Sequence, residues 1–275
     1  MGGKRKRAAK HHQAKAMRFK PDAVELNPLP SPYGATILYV PPTPSAAELA
    51  RTAVQKSLPS DTTLYKYLSS EYGHALLRGN TRIGTLYDFR RIELGKGIAD
   101  PDEGRKTLVH IVHDRTYVGG TEAAEAMAEM GFSIGSGGPV RFQSLNFERR
   151  VDHPDMFVWC CSASFDTGVM AALDGAELCI EVTEAGGFFS AMTDCLNSKR
   201  KVKFLGFREV AYLPRRQKWN EQNLGESAAF LKEPGAYGAQ YEVRAAWLPL
   251  DGEPIEPLII ECPELGAHCR HLSFE

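Results

Sequence analysis

Three stretches of the chain carry polar side chains at the period of two that a β-strand displays on one face. The last of them, Ala239 to Trp247, reads AQYEVRAAW and predicts one strand. The alternation predicts that the polar side of the strand carries Gln240, Glu242 and Arg244. The core side carries Tyr241, Val243, Ala245 and Trp247. A carboxylate on a rigid strand can orient a substrate hydroxyl or stabilise a developing cation. The alternative is a solvated strand face with a structural pair of Glu242 and Arg244.

The second stretch is Phe157 to Phe165, FVWCCSASF, which begins as a buried strand. Its end predicts Ser162 and Ser164 on one face, two residues apart. Two hydroxyls there can hydrogen-bond a ligand or a catalytic side chain. In the alternative interpretation, both hydroxyls satisfy backbone groups where the strand turns.

The first stretch is Leu64 to Leu68, LYKYL, a predicted strand with Tyr65 and Tyr67 on one face and Lys66 on the other. A cation or donor on such a strand can hold the ribose or phosphates of a nucleotide.

An acidic loop, ELGKGIADPDEGRK, contains Asp100, Asp102 and Glu103 close together. Three acids could bind magnesium for a nuclease, but the loop lacks the spacing and the glycine of a calcium loop. We therefore expect a solvated turn.

The elements that position these residues follow from hydrophobic periodicity and capping residues. Helices are predicted over 71–78, 122–130, 168–175 and within 184–196. Further strands are predicted over 81–86, 107–112, 140–149, 176–182, 201–213 and 256–262. A short strand is also expected within 35–40, and a helix after Pro44. Residues 62–275 are interpreted as one α+β domain.

Charge is distributed unevenly along the 275 residues. Residues 1–20 hold eight of the 33 basic residues and no acid, so the remainder carries 25 basic and 34 acidic residues, a net charge of −9. We expect 1–20 to be a disordered basic arm and 21–61 to be a proline-rich linker with a short helix. Lys4, Arg5, Lys6 and Arg7 could neutralise phosphates on nucleic acid without sequence specificity, and the alternative is a solubilising tail.

The chain has six cysteines, none in a C-x-x-C pair, and most lie in apolar runs. This pattern predicts buried thiols in a reducing cytoplasm rather than disulfides or a zinc site. The sequence has neither a secretory signal nor an apolar run approaching the ~20 residues that span a membrane.

Together, LYKYLS, ADPDEG, FVWCCSASF and the late FLK followed by EVR resemble a widespread bacterial and phage family that is largely uncharacterised. Its members share an L-Y-K-Y-type strand, a D-P-x-E-G turn, a serine-containing central strand, and F-x-K before E-x-R. The resemblance covers roughly 62–262.

The same three strands, in order, are similar to the core of the ADP-ribosyltransferase fold, a split and mainly antiparallel β-sandwich with peripheral helices that binds NAD in its cleft. Lys66 matches the fold's Arg or His and lies beside Tyr67. Ser162 and Ser164 match the outer serines of its S-x-S motif, where Ala163 replaces Thr. Gln240 and Glu242 match its Q-x-E motif.

The resemblance implies that NAD is a substrate, bound by Lys66, Tyr67, Ser162 and Ser164. Glu242 would stabilise the transition state as nicotinamide leaves, and Gln240 would orient the acceptor. ADP-ribose would pass to a macromolecule or to water, as in a toxin or a phage-defence effector. The alternative is a non-catalytic binding module that tethers nucleic acid through the basic arm.

Overall fold

The computed structural model describes residues 37–39, 57–91, 93, 95–129, 132–219 and 226–274. The basic arm, most of the proline-rich segment and the helix expected after Pro44 lie outside the described residues. The strand predicted within 35–40 is present as Ile37–Tyr39.

The described residues are mixed α+β, and their sheets are mostly antiparallel, as the sequence predicts. The strands are β1 Ile37–Tyr39, β2 Leu64–Leu68, β3 Asn80–Thr85, β4 Arg105–Tyr117, β5 Phe132–Ile134, β6 Val140–Asp152, β7 Phe157–Ser162, β8 Leu178–Val182, β9 Val202–Glu209, β10 Ala211–Tyr212, β11 Arg216–Lys218, β12 Leu231–Lys232, β13 Glu242–Pro249, β14 Leu258–Glu261 and β15 Cys269–Leu272. The helices are α1 Ser70–Leu77, α2 Glu122–Glu129, α3 Thr167–Ala172, α4 Ala185–Lys199 and α5 Pro234–Tyr237.

Strand β7 lies at the centre of an eight-stranded sheet in which every pairing is antiparallel. One edge of β7 pairs with β13, which pairs in turn with β9. The other edge is shared, because β3 pairs with the start of β7 and β2 pairs with its end at Ser162. From there β3 leads to β14, and β2 leads to β8 and β15. The sheet therefore divides beside β7.

The two faces of β13 are both buried. Val243, Ala245 and Trp247 belong to the main core, which also contains Phe188, Phe189 and Met192 of α4. Burying a large apolar side chain contributes about 1.5–3 kcal/mol, so this contact with α4 fixes which face of the strand points inward. On the opposite face, Ala246 packs in a second apolar cluster.

Tyr241 does not lie on the core face, and that prediction was wrong. The strand begins at Glu242, after a 3₁₀ turn over Gly238–Gln240. Tyr241 joins the two in a left-handed conformation with φ 47°, and it is 55% exposed. The change of direction from turn to strand interrupts the alternation one residue before Glu242.

A second sheet contains the 13-residue strands β4 and β6 as an antiparallel pair, with β11 parallel to β4. Its strand β4 begins just after the acidic loop, so the sheet fixes the end of that loop.

Cys195 and Cys262 are joined by a disulfide, so the prediction of six thiols was wrong for this pair. Their Cα atoms are 6.1 Å apart, within the range that a disulfide spans. Helix α4 brings Cys195 to Cys262 across 67 positions, a proximity that local spacing does not reveal. Cys160, Cys161, Cys179 and Cys269 are thiols.

Among the described helices, none combines the length and apolar character needed to cross a membrane.

Candidate functional site

The three polar stretches meet at the end of β7. Glu242 of β13 is the direct partner of Ser162, and Tyr65 of β2 is the partner of Ser162 on the other edge. Directly paired residues in an antiparallel ladder project to the same face. The carboxylate of Glu242, the hydroxyl of Ser162 and the ring of Tyr65 therefore share one face of the sheet.

A cavity of about 330 Å³ opens at this junction. Its volume lies at the lower end of the range typical of small-molecule sites. Five of the predicted site residues line it: Lys66, Tyr67, Ser162, Gln240 and Glu242. Tyr65, Tyr72 and Phe89 contribute aromatic rings to the lining of the cavity. Ser164 is not among the lining residues.

Glu242 lies at the cavity with its carboxylate held by two cations. Arg244 donates from Nε at 3.0 Å and from Nη2 at 2.7 Å to Oε1, and Lys232 Nζ is 3.2 Å from Oε2. The backbone N–H of Glu242 donates to the hydroxyl of Tyr212 at 2.7 Å. These contacts fix the carboxylate, while lone pairs on its oxygens can still accept a hydrogen bond from a ligand.

The same two cations bind Glu103 from the acidic loop. Arg244 Nη1 is 2.7 Å from Glu103 Oε1, and Lys232 Nζ is 3.6 Å from Glu103 Oε2. Two carboxylates thus face two cations, and the group has no net charge. All four residues are buried, and Arg244 and Glu103 have no exposed surface. We call Glu103, Lys232, Glu242 and Arg244 the buried charge cluster.

The cluster keeps Glu242 ionised. Burial by itself would raise the pKa of Glu242, but Arg244 and Lys232 outweigh it and lower the pKa to about 2. Burial would likewise lower the pKa of Lys232, but Glu242 and Glu103 raise it above its ordinary value. At neutral pH, Glu242 can therefore stabilise positive charge, but it is a weak proton acceptor.

The acidic loop is not a solvated turn, and that expectation was wrong for two of its acids. Asp100 and Glu103 are 3% and 0% exposed. Asp100 forms an ion pair with Arg215, and Glu103 belongs to the buried charge cluster. The carboxylates thus neutralise a partly exposed arginine, Arg215, and a buried one, Arg244, which lie far away in sequence. Among the described residues, the one group with metal-ligand spacing is Cys195, Cys262 and Glu264, whose cysteines form the disulfide.

Ser162 and Ser164 form a small hydrogen-bonded turn. The hydroxyl of Ser162 donates to the backbone O of Gln240 at 2.8 Å and accepts from the backbone N of Ser164 at 3.1 Å. Ser162 is 2% exposed, so this hydroxyl fixes the end of β7 to the turn before Glu242. Ser164 contributes backbone groups, since its carbonyl accepts from the hydroxyl of Tyr67 at 2.8 Å.

Lys66 lines the cavity, but its ammonium group is already engaged. Its Nζ donates to the backbone O of Cys160 and lies 4.8 Å from the ring centroid of Trp159. Because Tyr65 shares a face with Ser162, alternation puts Lys66 on the other face of β2. Tyr65, rather than Lys66, therefore shares the face of the sheet on which Ser162 and Glu242 lie.

Tyr67 holds the residues after β7. Its hydroxyl accepts a hydrogen bond from the backbone N of Asp166 at 2.8 Å, in addition to its bond to Ser164. Burial raises the pKa of Tyr67 to about 12, so its hydroxyl stays protonated.

Gln240 is 5% exposed, and its side chain does not point to open solvent. Its Nε2 donates to the backbone O of Gly97 at 2.6 Å. The predicted acceptor-orienting residue is thus bound to the loop that precedes Asp100.

The sequence did not predict that Glu103, Lys232 and Arg244 lie together with Glu242: it offered Glu103 only as a possible magnesium ligand and Arg244 only as a structural partner of Glu242. A signal was available, because these three residues and Glu242 are four of the charged positions in the motifs ADPDEG, FLK and EVR. In the structure, these four charged residues contact one another in the buried charge cluster, whereas Asp100 of the ADPDEG motif pairs with Arg215 instead. No protein-family model, curated protein or solved structure matches the chain.

Proposed function

We propose that the chain cleaves the nicotinamide–ribose bond of NAD and transfers ADP-ribose to a macromolecular acceptor or to water. The observation that carries this proposal is the pairing of Glu242 with Ser162 at a cavity rimmed by aromatic rings. We also propose that the divided sheet is the split sandwich of the ADP-ribosyltransferase fold. The separation of β2 and β3 along one edge of β7 supports that assignment.

The chemistry depends on an ionised carboxylate that is held in one position. When the bond from ribose C1′ to the nicotinamide nitrogen breaks, its electron pair leaves with nicotinamide, and positive charge develops on the ribose. An ionised carboxylate that is already oriented stabilises this charge without reorganisation. Glu242 meets both conditions, since its pKa is about 2 and its oxygens are held by Arg244 and Lys232.

The second step needs a nucleophile from the acceptor. A hydroxyl or a water forms the new C1′–O bond and releases its proton to solvent. Glu242 is too weakly basic in this cluster to be the main proton acceptor at neutral pH. Its role in the proposal is therefore electrostatic.

The lining aromatic rings suit a planar substrate. Tyr65, Tyr72 and Phe89 supply flat apolar surfaces on which the nicotinamide ring can pack. Tyr72 is 59% exposed, so one of these rings stands where a ligand would enter.

The test is nicotinamide release from NAD, measured by chromatography with wild type, Glu242→Gln and Glu242→Asp. We expect release by wild type and a loss of about 100-fold or more in Glu242→Gln, because the charge that stabilises the transition state is removed. Glu148→Gln is the matched control, since Glu148 pairs with Arg216 outside the site. Melting curves must show that each variant is folded.

A second candidate, the non-catalytic binding module, is favoured by the full compensation of Glu242 within the buried charge cluster. In that case Glu242 and Arg244 stabilise the fold and take no part in catalysis. Equal background release from wild type and all variants, with candidate acceptors supplied, would favour the module. Deletion of residues 1–20 would then weaken nucleic-acid binding at low salt, and unchanged, salt-insensitive binding would exclude the arm as the tether.

A further inference from the structure

One loop connects the cavity to the buried charge cluster. Residues 95–103, which we call the strap, pass the cavity at Gly97 and Ile98 and end at Glu103. The strap therefore contributes both a wall of the cavity and one of the two carboxylates that balance Arg244 and Lys232.

Three hydrogen bonds from neighbouring segments hold the first half of the strap. Gln240 Nε2 donates to Gly97 O at 2.6 Å. The backbone N of Asp174 donates to Lys96 O at 3.1 Å, and the hydroxyl of Tyr237 donates to Ala99 O at 2.8 Å. Of these three donors, only Gln240 is tied directly to β7, because its backbone O accepts from Ser162.

The apex of the strap is packed too closely for a side chain. Gly97 has φ +81°, and a Cβ there would lie 2.1 Å from the backbone O of Ala172 and 3.3 Å from Gln240 Nε2. A positive φ favours glycine. Only glycine at position 97 therefore allows the strap to pass between α3 and Gln240.

We propose that Gln240 is a positioning residue that pins the strap across the cavity, rather than a residue that orients the acceptor. Its carboxamide is buried against Gly97, and its backbone is fixed to Ser162. Gln240 thus couples the cavity wall to the end of β7, two residues before Glu242. The kinetic part of this inference rests on the proposed NAD-cleaving function, whereas the structural part does not.

Limited proteolysis tests the structural part without any assumption about activity. Lys96 is exposed at the apex, so trypsin can cut between Lys96 and Gly97 when the strap leaves its place. The rate of cleavage at this bond is followed by mass spectrometry in Gln240→Met, which keeps side-chain length and charge but removes the donor. Gln217→Met is the control, because Gln217 Nε2 also donates to a backbone carbonyl, that of Pro214, outside the site.

We expect cleavage after Lys96 about 10-fold faster in Gln240→Met than in wild type, since the hydrogen bond that holds Gly97 in place is lost. Gln217→Met should match wild type. Tyr237→Phe, a milder change that removes another pin, should also accelerate the cut. The proposal would be overturned if this bond were cut at the same rate in wild type, Gln240→Met and Tyr237→Phe. The absence of cleavage in all three proteins would overturn it as well.

Steady-state kinetics test whether the position of the strap affects the binding of NAD. A loosened strap should raise KM for NAD about 10-fold in Gln240→Met, with kcat within about threefold of wild type. An unchanged KM with an altered ratio of transfer to hydrolysis would instead assign Gln240 to the acceptor and overturn the inference. If wild type releases no nicotinamide, the proposed function fails, while proteolysis still decides whether Gln240 pins the strap.

Discussion

Glu242 and Ser162 are direct partners in the antiparallel ladder of β13 and β7, so their side chains share one face of the sheet. The hydroxyl of Ser162 also binds the backbone O of Gln240, two residues before Glu242. The turn that precedes Glu242 is therefore fixed to the end of β7. This arrangement makes the end of β7 the place where substitutions should affect activity and stability together.

Ser162→Ala should lower both stability and nicotinamide release. The substitution removes the donor to Gln240 O and leaves the backbone N of Ser164 without its acceptor. An unsatisfied buried polar group costs about 1–3 kcal/mol, which urea unfolding can measure. Ser144→Ala is the matched control, because Ser144 is exposed on β6. Unfolding free energies that are equal for the two variants would contradict the structural role of Ser162.

Arg244→Met should be among the most destabilising single changes in the chain. It removes one cation from a buried group of two cations and two carboxylates and leaves negative charge uncompensated. The expected loss is about 3–5 kcal/mol in the free energy of unfolding. Arg141→Met, which breaks an exposed pair with Asp114, should change the free energy of unfolding far less, because solvent screens that pair.

A double-mutant cycle separates charge balance from packing in this cluster. Glu103→Gln alone should destabilise, but Glu103→Gln combined with Arg244→Met restores neutrality around Lys232 and Glu242. We therefore expect the double variant to be more stable than the sum of the single losses predicts, by about 1–3 kcal/mol. Strictly additive losses in urea unfolding would show that Glu103 and Arg244 act independently.

Local patterns predicted much of the fold and part of the site. The period of two in QYEVR and CCSAS predicted that Glu242 and Ser162 lie on polar faces of strands, and the strands β13 and β7 contain both residues. The start of the helix predicted over 168–175 is also fixed locally, since Asp166 accepts a hydrogen bond from Gly168 N at the start of α3. These features depend on neighbours in sequence, and sequence contains that information directly.

The remaining features depend on distant partners. Glu103 is 141 positions from Arg244, so nothing local distinguishes this buried carboxylate from a solvated one. Lys66 and Tyr65 are neighbours in sequence, and only the pairing of Tyr65 with Ser162 decides which of them lies on the same face of the sheet as Glu242. Gln240 lies in a turn rather than a strand, and its side chain is bound to a loop that the period of two does not describe.

The Cys195–Cys262 disulfide should be visible in a count of thiols. Alkylation of the denatured chain without a reductant should label four cysteines, and alkylation after reduction should label six. Removing the cross-link by Cys195→Ser should lower the free energy of unfolding by up to about 4 kcal/mol, the loop-closure value for 67 residues. Six labelled cysteines before reduction would show that the pair is not bonded.

The pKa of Glu242 predicts an activity profile without an acid limb from this residue near neutral pH. Because its folded pKa of about 2 lies below the unfolded value, Glu242 stabilises the fold above about pH 4 and loses that contribution as pH falls towards 2. Lys232 has a raised pKa, so its contribution is complete below about pH 10 and is lost only as pH rises further. Neither group changes its charge between about pH 5 and 9, so the pair should make stability and nicotinamide release independent of pH in that range. Lys232→Met should raise the pKa of Glu242 and move the acid limb of release upward, whereas Lys218→Met, on exposed β11, should leave the profile unchanged. Identical acid limbs in wild type and Lys232→Met would exclude Lys232 as the residue that keeps Glu242 ionised.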